Sequence, residues 1–130
     1  MNTQTLQRIL YVEDEPDIQS VARLALEAVG GFTVEVCSSG QEAQSKAEAF
    51  APDLILLDVM MPGMDGPTTL KALRGIAALA NTPVVFMTAK VQANELAEYR
   101  AMGALDVIPK PFDPMTLAEQ IKTLWSKRHG

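Results

Sequence analysis

Short apolar runs alternate along the chain with longer segments of helical periodicity. The runs are rich in leucine or β-branched residues, as strands are, and they cover residues 9–12, 33–37, 54–57, 84–88 and 107–108. Between the first two runs, apolar residues recur at helical spacing until two glycines interrupt them: Ile18, Val21, Ala22, Ala25 and Val29, followed by Gly30-Gly31. The pattern therefore predicts five strands separated by helices.

Four further helices are predicted, and they differ in the strength of their pattern. Residues 41–50 and 68–78 supply the second and third helices. Residues 117–125 carry a clear apolar stripe, for which Asp113 is the expected N-cap. Residues 94–102 are rich in alanine but only weakly periodic, so the fourth helix has the weakest signal of the five.

The order of these elements predicts the architecture. Strict alternation of strands and helices indicates parallel strands joined by right-handed crossovers, with helices on both faces of the sheet. The runs Leu54-Ile55-Leu56-Leu57 and Val84-Val85-Phe86-Met87 are apolar without alternation, as central strands buried on both faces are. We therefore expect an α/β fold: a doubly wound (βα)5 flavodoxin-like three-layer sandwich with strand order 2-1-3-4-5, in one domain over residues 1–130.

Composition narrows the class of protein. Hydrophobic residues make up 48% of the chain, but no apolar run approaches the roughly 20 residues of a membrane helix. The net charge of −5 disfavours direct binding to nucleic acid, which requires a basic face. The N-terminus lacks the features of a signal peptide, and the single Cys37 cannot form an internal disulfide. We expect a soluble protein of the cytoplasm, without membrane or nucleic-acid partners.

Polar residues follow the predicted strands at the edge where a doubly wound sheet binds ligands. Glu13 and Asp14 follow the first strand, and Asp58 ends the third. The first and third strands are neighbours at about 4.8 Å in the predicted order, so their carboxylates converge. A hard cation would relieve the repulsion between them, and a set of oxygen ligands favours Mg²⁺. Magnesium is the cofactor that this pattern implies.

An aspartate beside a divalent cation, a hydroxyl and a lysine can act as a nucleophile toward a phosphoryl group. Asp58 is the candidate, and Lys110 after the fifth strand would neutralise charge on the transferring oxygens. The Thr88 hydroxyl would bind the remaining oxygens, together with the neighbouring backbone amides of Val59 and Ala89.

These residues lie in motifs that resemble the receiver domain of bacterial two-component response regulators. The motifs cover nearly the whole chain and occur in the family's order: Tyr11-Val12-Glu13-Asp14-Glu15-Pro16, the segment from Leu56 through Asp58 to Gly66, Met87-Thr88-Ala89, Gly103-Ala104, and Lys110-Pro111-Phe112. The resemblance implies a phosphoacceptor domain that catalyses its own phosphorylation and dephosphorylation, and that acts as a regulator, not as an enzyme on a separate substrate.

The resemblance also assigns roles and partners. Glu13, Asp14, Asp58 and the Met60 backbone carbonyl would hold Mg²⁺, directly or through water. Asp58 would receive its phosphoryl group from a sensor histidine kinase or a phosphotransfer protein. The signal would pass to a protein target through helix four, strand five and helix five, or the phosphoryl group would be relayed onward. The Lys110-Pro111 peptide is expected to be cis.

Two positions depart from the family pattern. The acidic pair is Glu13-Asp14, where many members have two aspartates, and the longer Glu13 is expected to reach the water shell of the metal. Val107 stands three residues before the lysine, where the family has tyrosine or phenylalanine. An aromatic switch at this position is therefore absent from the sequence.

Three alternatives remain open at this stage. A phosphatase of haloacid-dehalogenase type would carry a second aspartate two residues after the nucleophile, where this chain has Met60. A flavodoxin-like cofactor module is disfavoured because the acidic Glu13-Asp14-Glu15 would repel a phosphate group. A phosphorylation-independent pseudo-receiver is disfavoured by the complete set of acidic, hydroxyl and lysine residues. The chain is expected to be a stand-alone receiver or a receiver excised from a larger regulator or hybrid kinase.

Overall fold

A five-stranded parallel sheet forms the centre of the computed structural model, which describes residues 5–128. Residues 1–4 and 129–130, the two ends of the predicted domain, lie outside the described part. The strands are β1 (Arg8–Val12), β2 (Thr33–Cys37), β3 (Leu54–Asp58), β4 (Val84–Thr88) and β5 (Asp106–Pro109). They lie in the order β2-β1-β3-β4-β5, and each neighbouring pair is parallel. The predicted strand order is confirmed.

Five α-helices connect and follow the strands. They are α1 (Pro16–Leu24), α2 (Gly40–Phe50), α3 (Gly66–Arg74), α4 (Ala93–Ala101) and α5 (Leu117–Lys127). Helix α1 continues into a π-helical turn over Ala25–Val29 and ends at Gly30, and a 3₁₀ turn over Ala77–Leu79 follows α3. The weakly periodic fourth segment is helical, so that prediction is also confirmed.

The start of α5 differs from the prediction. The helix begins at Leu117 with Thr116 as its N-cap, and the Asp113 side chain accepts a hydrogen bond from the Met115 amide at 2.9 Å. The Asp113 carbonyl accepts from the amides of Thr116 and Leu117. Asp113 therefore closes a short turn before the helix, a role that aspartate fills readily, and the prediction that it caps α5 is wrong.

The core lies in two layers on opposite faces of the sheet. On one face, Ile9, Tyr11, Leu54, Leu56, Val85 and Met87 pack against α1 and α5. On the other, Leu10, Val12, Ile55, Leu57, Val84 and Phe86 pack against α2, α3 and α4. All residues of β3 and β4 are buried. The sandwich has three layers, and the central strands place their carboxyl ends together at one edge.

The turn between β3 and α3 brings a helix end close to the strand end. The Gly66 amide donates to the Val59 carbonyl at 2.9 Å. A β-carbon on Gly66 would lie 2.7 Å from the Asp58 carbonyl oxygen, so only glycine fits without a shift. The Asp65 side chain accepts from the Thr68 amide at 2.9 Å and caps the helix. This packing fixes the backbone at Asp58.

Candidate functional site

The carboxyl edge of the sheet gathers the acidic, hydroxyl and lysine residues of four strands. Glu13 and Asp14 follow β1, Asp58 ends β3, Thr88 ends β4 and Lys110 follows β5. Glu13, Asp58 and Thr88 are buried, with at most 1% of their surface exposed. The sheet thereby places charged and polar side chains in surroundings where water does not screen them.

Lys110 bridges two of the carboxylates. Its Nζ lies 3.1 Å from Asp58 Oδ1 and 3.1 Å from Glu13 Oε1. The ammonium is itself largely covered, since 16% of the Lys110 side chain is exposed. The Lys110 backbone amide also donates to the Thr88 carbonyl at 2.9 Å, which ties the ends of β4 and β5 together.

The three carboxylates form a cluster that suits a hard divalent cation. One oxygen each from Glu13, Asp14 and Asp58 lies within 4.8 Å of the others. Asp14 Oδ1 and Asp58 Oδ2 are buried and have no hydrogen-bond donor among the residues that the structure describes. Buried carboxylate oxygens without donors are costly, and oxygen-only ligands suit Mg²⁺. The residues therefore fit the predicted cation.

Burial dominates the electrostatics of the cluster. Loss of solvation raises the pKa of Asp58 and of Glu13, while the hydrogen bonds and charge of Lys110 act in the opposite direction. The charge of Asp58 raises the pKa of Glu13 further. Burial works against the Lys110 ammonium, but its bonds to Glu13 and Asp58 raise its pKa overall. Lys110 thus contacts two of the three acidic groups, and the cluster keeps an excess of negative charge that a cation would correct.

Thr88 occupies the place predicted for a switch residue. Its hydroxyl oxygen accepts a hydrogen bond from the Lys90 amide at 3.0 Å, and its side chain is buried. Ala89, the next residue, is exposed at the edge of the site. The hydroxyl therefore holds the first turn of the loop that leads from β4 to α4.

The role predicted for the Val59 amide needs correction. This amide donates to the Met87 carbonyl at 3.0 Å and extends the pairing of β3 with β4 by one residue. An amide engaged in a sheet bond is not available to a phosphoryl oxygen. The sequence does not show this, because whether pairing stops at Asp58 or continues depends on the neighbouring strand.

Three other predicted positions lie close to the same edge. Met60 follows Val59 with an exposed side chain. The Lys110-Pro111 peptide bond is cis, the geometry that the resemblance implies. Val107 is half-buried and lies opposite Phe86 in the pairing of β5 with β4.

Two tyrosines reach the site without having been predicted there. The hydroxyl of Tyr11 lies 3.3 Å from Glu13 Oε1, and Tyr11 is completely buried. Tyr99 on α4 lies close enough to Thr88 for that side chain to lower its pKa, and the Tyr99 ring lies 5.2 Å from that of Phe86. Alternation along β1 puts Tyr11 and Glu13 on one face of the strand. The Tyr99 contact has no comparable signal, because it joins two separate elements.

Comparison of the sequence with protein families gives one match over most of the chain. The model of the response regulator receiver domain matches residues 9–122. The DNA-binding response regulator MtrA of Mycolicibacterium smegmatis is 34% identical over 116 residues, which are 89% of this chain and 49% of that protein. Response regulator Rre1 of Synechocystis is 32% identical over 122 residues, 94% of this chain and 53% of that protein. The chain spans about half the length of these relatives.

The fold has close counterparts among solved structures. Chemotaxis protein CheY4 of Vibrio cholerae superimposes with a TM-score of 0.85 at 31% identity, and the match covers 92% of this chain and 99% of that one. Separately, none of the helices in residues 5–128 combines the length and apolar character needed to cross a lipid bilayer.

Proposed function

The chain belongs to the family of response regulator receiver domains, a family of two-component signalling, and from this premise we propose that Asp58 is its phosphoacceptor. In this proposal Asp58 takes a phosphoryl group from a phosphohistidine of a sensor kinase or phosphotransfer protein. The modification then shifts the conformation of the domain toward a signalling state. The domain catalyses its own phosphorylation and dephosphorylation, with no separate substrate.

One observation carries the choice of Asp58. Among the three clustered carboxylates, Asp58 alone combines a bond from the Lys110 ammonium to Oδ1 with a buried Oδ2 that has no donor among the described residues. A carboxylate oxygen without a donor keeps its lone pairs for a cation or an electrophile. The adjacent ammonium can bind the oxygens of the phosphoryl group that approaches.

The transfer itself is a displacement at phosphorus. A carboxylate oxygen of Asp58 forms the new P–O bond while the P–N bond to the donor histidine breaks, and the electron pair of that bond stays on the imidazole nitrogen. Lys110 remains protonated throughout, since its pKa is raised above the ordinary range for lysine. The Thr88 hydroxyl and the Ala89 amide bind the phosphoryl oxygens after transfer.

The acidic cluster supplies the cofactor site of this proposal. Asp14, Asp58 and the Met60 backbone carbonyl would hold Mg²⁺, and Glu13 would act on its water shell. Bound Mg²⁺ neutralises negative charge on the phosphoryl oxygens. The support for this assignment is the oxygen-only donor set and its two buried oxygens without donors among residues 5–128.

We propose that the domain signals to its partner through the groove beside β5. A groove of about 320 Å³ lies between β5 and α5, and Val107 and Leu124 contribute to its lining. We assign this groove to a downstream protein partner.

The proposal also covers the extent and location of the protein. We treat residues 1–130 as one receiver domain, and we place it in the cytoplasm, which agrees with the lone buried thiol of Cys37. The DNA-binding role in MtrA's name is not assigned to this chain.

The proposal is tested by small-molecule phosphorylation. Incubation with acetyl phosphate and Mg²⁺ should add one phosphoryl group, detected by intact mass. Asp58→Asn should abolish the addition because an amide is a poor nucleophile. Asp17→Asn is the matched control. Asp17 is exposed on α1, so this substitution removes one negative charge outside the site. Equal uptake by wild type and Asp58→Asn would disprove the assignment.

A further inference from the structure

Tyr11 places a hydroxyl in the core beneath the acidic cluster. The side chain is completely buried in the layer that packs against α1 and α5, and its hydroxyl lies 3.3 Å from Glu13 Oε1. A buried tyrosine hydroxyl normally has a hydrogen-bond partner. Here the described partner is a carboxylate of the site, so the hydroxyl forms part of the charged network.

Glu13 differs from the other two carboxylates in having a donor for each oxygen. Oε1 accepts from the Tyr11 hydroxyl and from Lys110 Nζ, and Oε2 accepts from the Glu15 amide at 3.3 Å. Asp14 Oδ1 and Asp58 Oδ2, in contrast, have no donor among the described residues. The cluster thus divides into two acceptors open to a cation and one that is already bonded to protein groups.

We propose that Tyr11 is a positioning residue: its hydroxyl fixes the Glu13 carboxylate, which in turn holds the Lys110 ammonium against Asp58. Among the carboxylates, direct contact with the cation is left to Asp14 and Asp58. This inference rests on the proposed function of Asp58 as the phosphoacceptor.

The chemistry of lysine explains why such an anchor matters. Lys110 carries three N–H donors, of which Glu13 and Asp58 each engage one, so one donor remains for a phosphoryl oxygen. A lysine side chain has a flexible four-carbon stem and loses substantial conformational entropy when it is ordered. A carboxylate held at both oxygens orders the ammonium before the phosphoryl group arrives, as preorganised charge stabilisation requires.

The hydroxyl is a suitable donor for this arrangement. A tyrosine O–H can donate a hydrogen bond to a carboxylate oxygen without carrying a charge itself. In Tyr11→Phe the ring still fills the core, and the loss is confined to this donor.

The first test observes Lys110 directly. Protein labelled with ¹⁵N in its lysine side chains is studied by NMR without metal, and Lys110→Arg assigns the Lys110 ammonium signal. Tyr11→Phe should shift or broaden this signal, because the anchoring carboxylate gains freedom. Lys46, whose Nζ lies 2.7 Å from Glu42 on the surface, is the internal reference and should not change. Tyr99→Phe is the matched control, since its hydroxyl contacts Thr88 and not Glu13.

The second test separates rate from metal binding. Tyr11→Phe should lower the rate of Asp58 phosphorylation by acetyl phosphate about three- to tenfold at saturating Mg²⁺, the range for loss of one typical intramolecular hydrogen bond. The Mg²⁺ dissociation constant, measured by calorimetry, should not change. Glu13→Gln is a second variant that removes the charge holding Lys110, and it should also shift the Lys110 signal.

The outcomes are distinguishable from failure of the proposed function. An unchanged Lys110 signal in folded Tyr11→Phe and Glu13→Gln would overturn the inference, even with Asp58 phosphorylated normally. Parallel loss of rate and Mg²⁺ affinity in Tyr11→Phe would also overturn it, because the hydroxyl would then serve the metal. If wild type takes up no phosphoryl group at Asp58, the proposed function fails, and the Lys110 signal still decides whether Tyr11 positions the ammonium.

Discussion

Thr88 is the residue that links the site to the loop beyond it. Its hydroxyl accepts from the Lys90 amide at 3.0 Å, and the same side chain acts on the Tyr99 hydroxyl of α4, whose pKa it lowers. The bonds described for the Thr88 side chain do not include Asp58. We propose that Thr88 registers a change at Asp58 and transmits it, more than it drives the transfer.

Substitution of Thr88 should uncouple phosphorylation from response. In Thr88→Ala, Asp58 should still accept a phosphoryl group, while the chemical-shift changes of the loop and α4 on activation should become smaller. Thr88→Ser keeps a hydroxyl and should retain most of the response. Lys110→Ala should impair both steps, because it removes a full charge. NMR spectra of phosphorylated protein check this, and identical shift changes in Thr88→Ala and wild type would contradict it.

Among the elements, the junction of β3 and α3 is closely packed beside the site. A β-carbon at Gly66 would meet backbone atoms, the Asp58 carbonyl oxygen at 2.7 Å and the Val59 Cα at 2.8 Å. Backbone cannot move aside as a flexible side chain can, so strain would spread into the turn that holds Asp58.

Gly66→Ala should therefore lower the free energy of unfolding by about 1–3 kcal/mol, as overpacking does. Gly75→Ala is the matched control, because a β-carbon at Gly75 would approach only the Ala72 carbonyl oxygen, at 3.3 Å. Urea denaturation of both variants measures the difference. A Gly66→Ala protein as stable as wild type would show that the turn can relax without cost.

Helix α4 carries the aromatic ring that β5 lacks. Val107 lies opposite Phe86 in the sheet, and the Tyr99 ring lies on the same Phe86 at 5.2 Å, with an angle of 60° between the rings. Burial and the charge of Glu95 raise the pKa of Tyr99, while the neighbouring Thr88 side chain lowers it. An aromatic side chain thus reaches Thr88 from a helix instead of from the position that Val107 occupies.

This placement predicts different effects for the two residues. Val107→Ala should change stability more than signalling, because a β-branched side chain has few rotamers between which to switch. Tyr99→Phe keeps the ring and loses the contact with Thr88, so it should weaken the phosphorylation-dependent shift of α4. NMR with Asp58 fully modified measures both. Loss of the α4 shift in Val107→Ala, with the fold intact, would show that Val107 itself is the switch.

At the scale of the whole molecule, the fold could be predicted from the sequence because its signals are local. Unbroken apolar runs predicted the central strands, and the strict alternation of strands with helices predicted a parallel sheet. Helix α4 had the weakest pattern for a physical reason: Tyr99 is its only buried residue, so no apolar stripe is required. The cap assigned to Asp113 was wrong because a neighbouring turn competes for the same side chain.

The candidate site was predictable only in part, because some of its contacts depend on more than local sequence signals. Strand order brings Asp14, Asp58 and Lys110 to one edge, so their convergence follows from topology. The use of the Val59 amide by β4 and the meeting of Tyr11 with Glu13 depend on register and side-chain reach. Neither the strand register nor the reach of a side chain can be derived from a sequence pattern.

The crowding of carboxylates at one edge of the sheet predicts how Mg²⁺ affects the stability of the whole domain. Asp14 Oδ1 is buried without a described donor, so Asp14→Asn should raise the metal-free free energy of unfolding by about 1 kcal/mol. Wild type should gain about 2.7 kcal/mol at 100 times its Mg²⁺ dissociation constant, and Asp14→Asn should lose most of that gain. Urea denaturation in chelator and in excess Mg²⁺ measures both effects.

Asp17→Asn is the control, because it removes the same charge at an exposed position. Because the proposed cation site lies at the edge of the sheet and not within either core layer, the chelated protein should stay folded. An Asp14→Asn protein that gains as much from Mg²⁺ as wild type would exclude Asp14 as a ligand.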